Sequence, residues 1–288
     1  DFALLPFISC DLGAEQPLEA NDVLGLGREP AEPSRGVITD QGQAVVPIDL
    51  HDVGLWLKGL MGPPTTTGTT PAFVHVFTSG AASLPSLSLE LGFPEVPRTF
   101  QNLGCLVGSI KFPWAVSGRA NTTITLIGQG ETTSAATIAG TPTTRSLRRF
   151  QQSMGFIRKD GAALGLVTAG EITYDNKLDP VRVIREDGKI EGCDLGVAAC
   201  SGQISVRFAD TTLLDAASAG TPIALSMGWT LSTDQALIID LPAVYLPRAK
   251  RAISGPNGIE ARTSFQAAKP ASGPFVTITL KNDVESYA

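Results

Sequence analysis

One block of this 288-residue chain reads as though it were written twice. The first strand pattern, Leu87-Ser-Leu-Glu-Leu91 with a proline at Pro94, returns as Leu237-Ile-Ile-Asp-Leu241 followed by Pro242. A later one, Thr123-Ile-Thr-Leu126 before Glu131, returns as Thr277-Ile-Thr-Leu280 before Asp283. The spacings are 237 minus 87, or 150, and 277 minus 123, or 154. Upstream of each copy lies a helix candidate closed by Gly and Pro: Asp49 to Met61 before Gly62-Pro63, and Asp210 to Ala219 before Gly220-Thr221-Pro222. Repetition at this period predicts two copies of one strand-rich unit.

The helix candidate from Asp49 opens on a good N-cap residue. It carries Leu50, Val53, Leu57 and Leu60 on one apolar face, which predicts packing against a sheet. Strands follow from alternation: Leu87, Leu89 and Leu91 around Ser88 and Glu90; Phe73 to Phe77; Gly104 to Phe112; Asn121 to Ile127; and Ile204, Val206 and Phe208. Thirty Gly, twenty Pro and many Thr suit strands joined by turns. The reading is a mainly β chain: two tandem β-sandwich or barrel units, each with one flanking helix. Residues 1–36, rich in Pro, Gly and acids, read as an extended N-terminal arm; 37–135 as the first β domain; 136–150 as a linker; 151–288 as the second. The arm is expected to order only on a partner.

Chemistry is sparse. His51 and His75 have no second His or Cys at ligand spacing, no G-x-S-x-G elbow occurs, and Gly25-Leu-Gly27 meets Pro30 where a third glycine belongs. Asp175 and Asp179 read as turn caps. No catalytic residue, cofactor or metal is expected. Cys10, Cys105, Cys193 and Cys200 show no C-x-x-C pair and read as free thiols. A net charge of −6 argues against a nucleic-acid gripping protein. No apolar run reaches the ~18 residues of a membrane helix, so no membrane partner is expected, and a soluble intracellular product is. Only 17% of residues are charged, which points to surface covered by partners. Arg145, Arg148 and Arg149 form a cluster beside Phe150; it reads either as a solvated connector or as a subunit interface, with Trp56 a further interface candidate.

Three stretches carry a family resemblance. They are Pro47-Ile-Asp-Leu-His-Asp-Val-Gly-Leu-Trp-Leu-Lys-Gly-Leu-Met-Gly62; the strand, proline and Gly104-Cys105 series ending at Glu131; and Asn176-Lys-Leu-Asp179 through Gly188-Lys-Ile-Glu-Gly192 to Ser205-Val-Arg-Phe-Ala-Asp-Thr-Thr-Leu-Leu214. Over roughly 40–285 the chain resembles the tail tube protein of long-tailed bacteriophages, in its double-length form from flexible, non-contractile tails. The resemblance implies rings stacked into a hollow tube in the virion tail, made in the host bacterial cytoplasm. It implies self-contacts, a tape measure protein in the lumen, distal tail and tail terminator partners, and DNA passing without specific binding. Two fused copies imply three chains per pseudo-sixfold ring, against a rival with six. Acidic residues such as Glu90, Asp240 or Glu260 are expected to face the channel, because like-charge repulsion limits drag on DNA. The competing readings are another virion β-protein, distal tail or decoration, and a two-domain carbohydrate-binding module.

Overall fold

The computed structural model describes residues 2–24, 27–93, 95–207, 212–248 and 260–287. Gly25, Pro94, Phe208 and Asp210, named above, lie outside the described residues, as does the side chain of Glu260. In the first half the strands are β1 (Ser9–Cys10), β2 (Gly13–Glu15), β3 (Leu18–Glu19), β4 (Ser34–Arg35) and β5 (Thr39–Pro47); then come helix α1 (Val53–Met61), β6 (Thr65–Thr69), β7 (Ala72–Thr78), β8 (Leu87–Phe93), β9 (Arg98–Ala115), β10 (Asn121–Gly128) and β11 (Gly130–Ser134). The second half holds β12 (Gly155–Lys159), β13 (Ala162–Ala163), β14 (Val167–Asp175), β15 (Leu178–Val181), β16 (Gly192–Leu195) and β17 (Ala199–Arg207); α2 (Thr212–Ala219) leads to β18 (Ile223–Ser232), β19 (Gln235–Tyr245), β20 (Glu260–Ala267) and β21 (Thr277–Asn282).

Nearly all the strands join one antiparallel ladder. It runs β2–β5–β10–β9–β14–β17–β20, and β20 passes to β19 through Val244↔Ala267 and Tyr245↔Gln266. β19 is flanked by β18 and β21; β12 lies beyond β18, and β7 then β6 beyond β21. The sheet does not close into a barrel. Period-two patterning decides its faces. Ile110, Phe112 and Trp114 of β9, Ile124 and Leu126 of β10, and Ile172 and Tyr174 of β14 are buried, while Ser109, Lys111, Thr123, Thr125, Glu171 and Thr173 point away.

The buried apolar residues of both halves form one cluster. Its hinge is aromatic. Trp114 of β9 stacks on Trp229 of β18 with centroids 4.4 Å apart and planes 6° apart, and Phe112 and Phe150 each stand 6.5 Å from Trp229. Phe150 closes the stretch expected to be a linker. That stretch runs beside the start of α1 instead: Leu50 N donates to Arg148 O at 2.8 Å and Phe150 N to Ile48 O at 3.0 Å.

α1 begins four residues later than its apolar stripe predicts, because residues 49–52 form a turn. Asp49 still caps, its Oδ1 accepting from the amides of Asp52 at 2.9 Å and Val53 at 3.0 Å. Both helices stop at a glycine in the left-handed region, Gly62 at φ 89° and Gly220 at φ 65°, where a Cβ would be strained.

The strands matched by sequence do not occupy matching places. Leu87–Leu91 lies in β8, whose pairing is to β9 alone, whereas Leu237–Leu241 lies inside the ladder in β19. Alternating Leu and polar residues suit any half-buried strand, so short matches align the wrong ones. A different spacing relates the pairings. Gly13↔Gln41 and Glu15↔Thr39 recur as Thr173↔Ser201 and Asp175↔Ala199, a shift of 173 minus 13, or 160. Leu18↔Arg35 and Glu19↔Ser34 recur as Leu178↔Leu195 and Asp179↔Asp194, again 160. Thr125↔Gln43 recurs as Ser264↔Gln203, with the first partner shifted by 264 minus 125, or 139; Leu106↔Ile127 recurs as Tyr245↔Gln266, shifted by 139 at both ends.

Residues 9–35 are not a featureless arm. β1 and β2 add to β5, and β3–β4 is a hairpin with an 18-residue span from Leu18 to Arg35. Backbone donors of β5 need partners, and the nearest chain supplies them.

Candidate assembly surfaces

The described structure offers surfaces rather than a catalytic cleft. No group of three or more His, Cys, Asp or Glu among the described residues is arranged to hold a metal. The four cysteines are free, Cys105 and Cys200 buried, Cys10 and Cys193 half-buried. No described helix is long and apolar enough to cross a membrane.

Exposed apolar side chains gather on projections. The β15–β16 hairpin carries Ile184, fully exposed, and the connection of β3 to β4 carries Leu24 at 94%. The β8–β9 tip shows Phe93 and Val96, with Phe93 edge-on to Phe100 at 5.4 Å. Apolar groups raised on narrow projections are costly in water unless a partner covers them.

The arginine cluster divides. Arg145 Nη1 stands 3.2 Å from Oδ1 of buried Asp52, tying the expected linker to the helix start. Arg149 donates to Asn121 Oδ1, and burial pulls its pKa down. Arg148 is exposed. Trp56 lies on the buried face of α1, 6% exposed, inside the core. Among the acids, Glu90 accepts from the Ile138 amide at 2.8 Å and from the Thr137 hydroxyl, so it holds a loop. Asp240 is half-buried on β19, opposite Ser226 and Thr277. Asp175 caps its turn through the Lys177 amide at 2.8 Å, as its sequence context predicts.

Two polar constellations had no sequence signal. In one, both histidines meet the C-terminal tail. His51 Nδ1–H donates to Ser146 O at 2.7 Å, and its Nε2 lies 2.8 Å from Asp283. His75 accepts from the Thr66 hydroxyl at Nδ1 and donates from Nε2 to Val284 O at 2.9 Å. Burial pulls the His75 pKa down, keeping it neutral. Asn282 sits between them, its Nδ2 donating to Leu50 O and Tyr287 Oη, both at 2.7 Å; the tyrosine hydroxyl donates to His51 O. The bonds that tie residues 50, 51 and 75 to residues 282–287 each span more than 200 residues, so only folding brings those partners together.

The other constellation surrounds Asp40, 2% exposed, whose carboxylate oxygens have no hydrogen-bond partner. Burial first, then Glu131, push its pKa up to about 6, against the pull of Lys189. Because the folded value exceeds the ordinary 3.8, the folded state holds the proton more tightly. Asp40 therefore costs stability as pH rises between about 4 and 6, and the cost persists above. Asp40→Asn is expected to raise the melting temperature by a few degrees at pH 7.5 and to leave it unchanged at pH 3.5. Thermal melts at the two pH values check this; an equal gain at both would point to a cause other than the buried charge.

A strand-rich chain whose described residues expose large apolar side chains has the features of an assembly subunit. A family model described as phage tail tube protein matches residues 3–267. The chain belongs to the phage tail tube protein family. The family is structural rather than enzymatic, and membership makes this protein a component of the virion tail that self-assembles into its tube. No curated protein gave a match.

Proposed function

We propose that this protein is the major tail tube subunit of a phage with a long non-contractile tail, polymerising as stacked rings into the conduit for DNA ejection. The observation that carries the reading is the recurrence of one pairing pattern within a member of the tube family. The order β2–β5–β10–β9, with β8 on β9 and α1 after β5, has its counterpart in β14–β17–β20–β19, with β18 on β19 and α2 after β17. The β9–β14 ladder, from Ser109↔Asp175 to Ala115↔Ala169, joins the two. The registers support two tandem units, the first taking in β2–β4, the counterparts of β14–β16, and so starting before the expected 37–135, the second lying within 151–288. Two units per chain favour homotrimeric, pseudo-hexameric rings.

Open edges support closure by neighbours. β6 ends one branch of the sheet, β12 with β13 another, and β1 with β2 a third, and exposed edges of this kind add strands from another copy. Arg148 is the cluster member left for a subunit contact, since Arg145 and Arg149 serve their own chain. Asp240 and the unassigned Glu260 carboxylate remain the proposed acidic lining, while Glu90 has a local role. DNA would then pass without specific contacts, and the tape measure, distal tail and tail terminator proteins would meet the lumen and the tube ends.

Negative-stain electron microscopy of the concentrated protein tests the reading. Rings or tubes with a central hole and three chains per ring are expected; solitary particles at every concentration would overturn it. A second expectation concerns the connection of β3 to β4, which contains exposed Arg28. Trypsin is expected to cut after Arg28 in free subunits and to spare it in tubes. Equal cutting in both states would exclude its coverage on assembly.

A further inference from the structure

We infer that the β3–β4 hairpin of one copy docks on the second half of a neighbouring copy, at Ala198 and Ala268. The inference rests on the tandem reading above, and its template is a contact inside the chain. The β15–β16 hairpin leans on the first half. Ile38 N donates to Gly188 O at 3.0 Å, Gln129 Nε2 donates to Glu191 O, and Leu178 is half-buried, close to where a side chain on Gly108 would begin.

Each participant has a counterpart. Shifting Gly188 and Glu191 back by 160 gives Arg28 and Ala31; shifting Ile38 forward by 160 gives Ala198; shifting Gln129 forward by 139 gives Ala268. The last step has a near counterpart in the backbone: Gln129 N donates to Leu103 O at 3.0 Å and Ala268 N to Ala243 O at 2.9 Å, the donors 139 residues apart and the acceptors 140. The first hairpin, however, makes no such contact among the described residues. Its described side-chain and turn hydrogen bonds stay within residues 16–36, such as Gly36 N to Pro17 O and Asn21 Nδ2 to Glu32 O. Leu18 is accordingly 69% exposed where its counterpart Leu178 is half-buried. Among the described residues no hairpin hydrogen bond reaches Ala198 or Ala268, both half-buried. A donor without an acceptor and an acceptor without a donor, related by the same shift, fit each other head to tail. Repeated, that contact is heterologous and closes a ring or continues an array.

The acceptor differs from its template in one respect. Alanine stands where Gln129 reaches the hairpin, so the copy-to-copy contact has one side-chain hydrogen bond fewer and is the weaker of the two. A ring seam that opens more easily than the folded chain lets subunits remain free before assembly.

Paired cysteines test this in the full chain carrying Cys10→Ser and Cys193→Ser. Ala31→Cys with Ala268→Cys, oxidised in tubes, is expected to link most chains into covalent oligomers on a non-reducing gel, and to link few when diluted to free subunits. Gln129→Cys with Glu191→Cys is expected to close within one chain at any dilution. Microscopy of the same samples separates the failures. Tubes that form while the first pair yields only single-chain bands would overturn the docking and leave the tube reading standing. Absence of rings or tubes would overturn both, and failure of the control pair to close would remove the template and with it the inference.

Discussion

Trp229→Ala is expected to cost about 4 kcal/mol, in the range for removing a fully buried large aromatic. Trp229 has no exposed surface, and its ring spans the gap between β9 and β18. Its indole N–H stands 3.4 Å from Gln152 Oε1, and Gln152 in turn donates to Pro113 O at 2.9 Å and accepts from the Ala115 amide at 3.2 Å. Truncation therefore opens a cavity where Phe112, Trp114 and Phe150 converge and strips a partner from Gln152. At this chain length the loss corresponds to a fall in melting temperature on the order of 10 °C. Near-ultraviolet circular dichroism should show it directly, since the stacked Trp pair dominates the aromatic signal. A drop below about 3 °C would mean that the cluster is not the joint between the halves. Trp229→Phe, which keeps an aromatic ring, is expected to recover about half of the loss.

Asn282→Ala is the second large effect, about 3 kcal/mol, for a different reason. The side chain makes four hydrogen bonds while fully buried: to Leu50 O, to Tyr287 Oη, with His75 Nε2 at 3.1 Å, and from the Val284 amide at 3.1 Å. Alanine leaves the Leu50 carbonyl and the Val284 amide buried without this partner, and each stranded group costs roughly 1–3 kcal/mol. The tail after β21 is then expected to detach first. Hydrogen exchange should show faster exchange at residues 283–287 and at the start of α1, with the centre of the sheet unchanged. Uniform loss of protection, or none, would show that Asn282 does not fasten the tail. Cutting the tail also removes Asp283 from His51, so wild-type protein truncated after Asn282 is expected to resemble the variant.

How much of this was legible in advance follows from the range of each interaction. Alternation placed β8, β10 and β21 within a residue or two, and the second half of β17, because burial of one sheet face acts on neighbours in sequence. The stripe of α1 and the glycines that end both helices were equally local. The strands of the N-terminal segment carry no sequence signal, since two- and three-residue strands such as β1 and β2 hold too little pattern to notice. Asp40, Asn282 and the Trp114–Trp229 stack gave no signal at all. Each depends on which strands become neighbours, and strings of Leu, Ile and Thr do not say.

The repeat shows the division most clearly. The sequence by itself determined a mainly β chain, two helices each closed by glycine and membership of the tube family, because apolar periodicity and turn chemistry are written residue by residue. Only the tertiary structure decided which strand pairings recur and at what spacing. A spacing of 160, carried by backbone pairings such as Glu15↔Thr39 and Asp175↔Ala199, replaced the spacings of 150 and 154 suggested by similar side chains. Hydrogen bonds between strands belong to the backbone and ignore side-chain identity, so a duplication can persist in the pairing after it has faded from the residues.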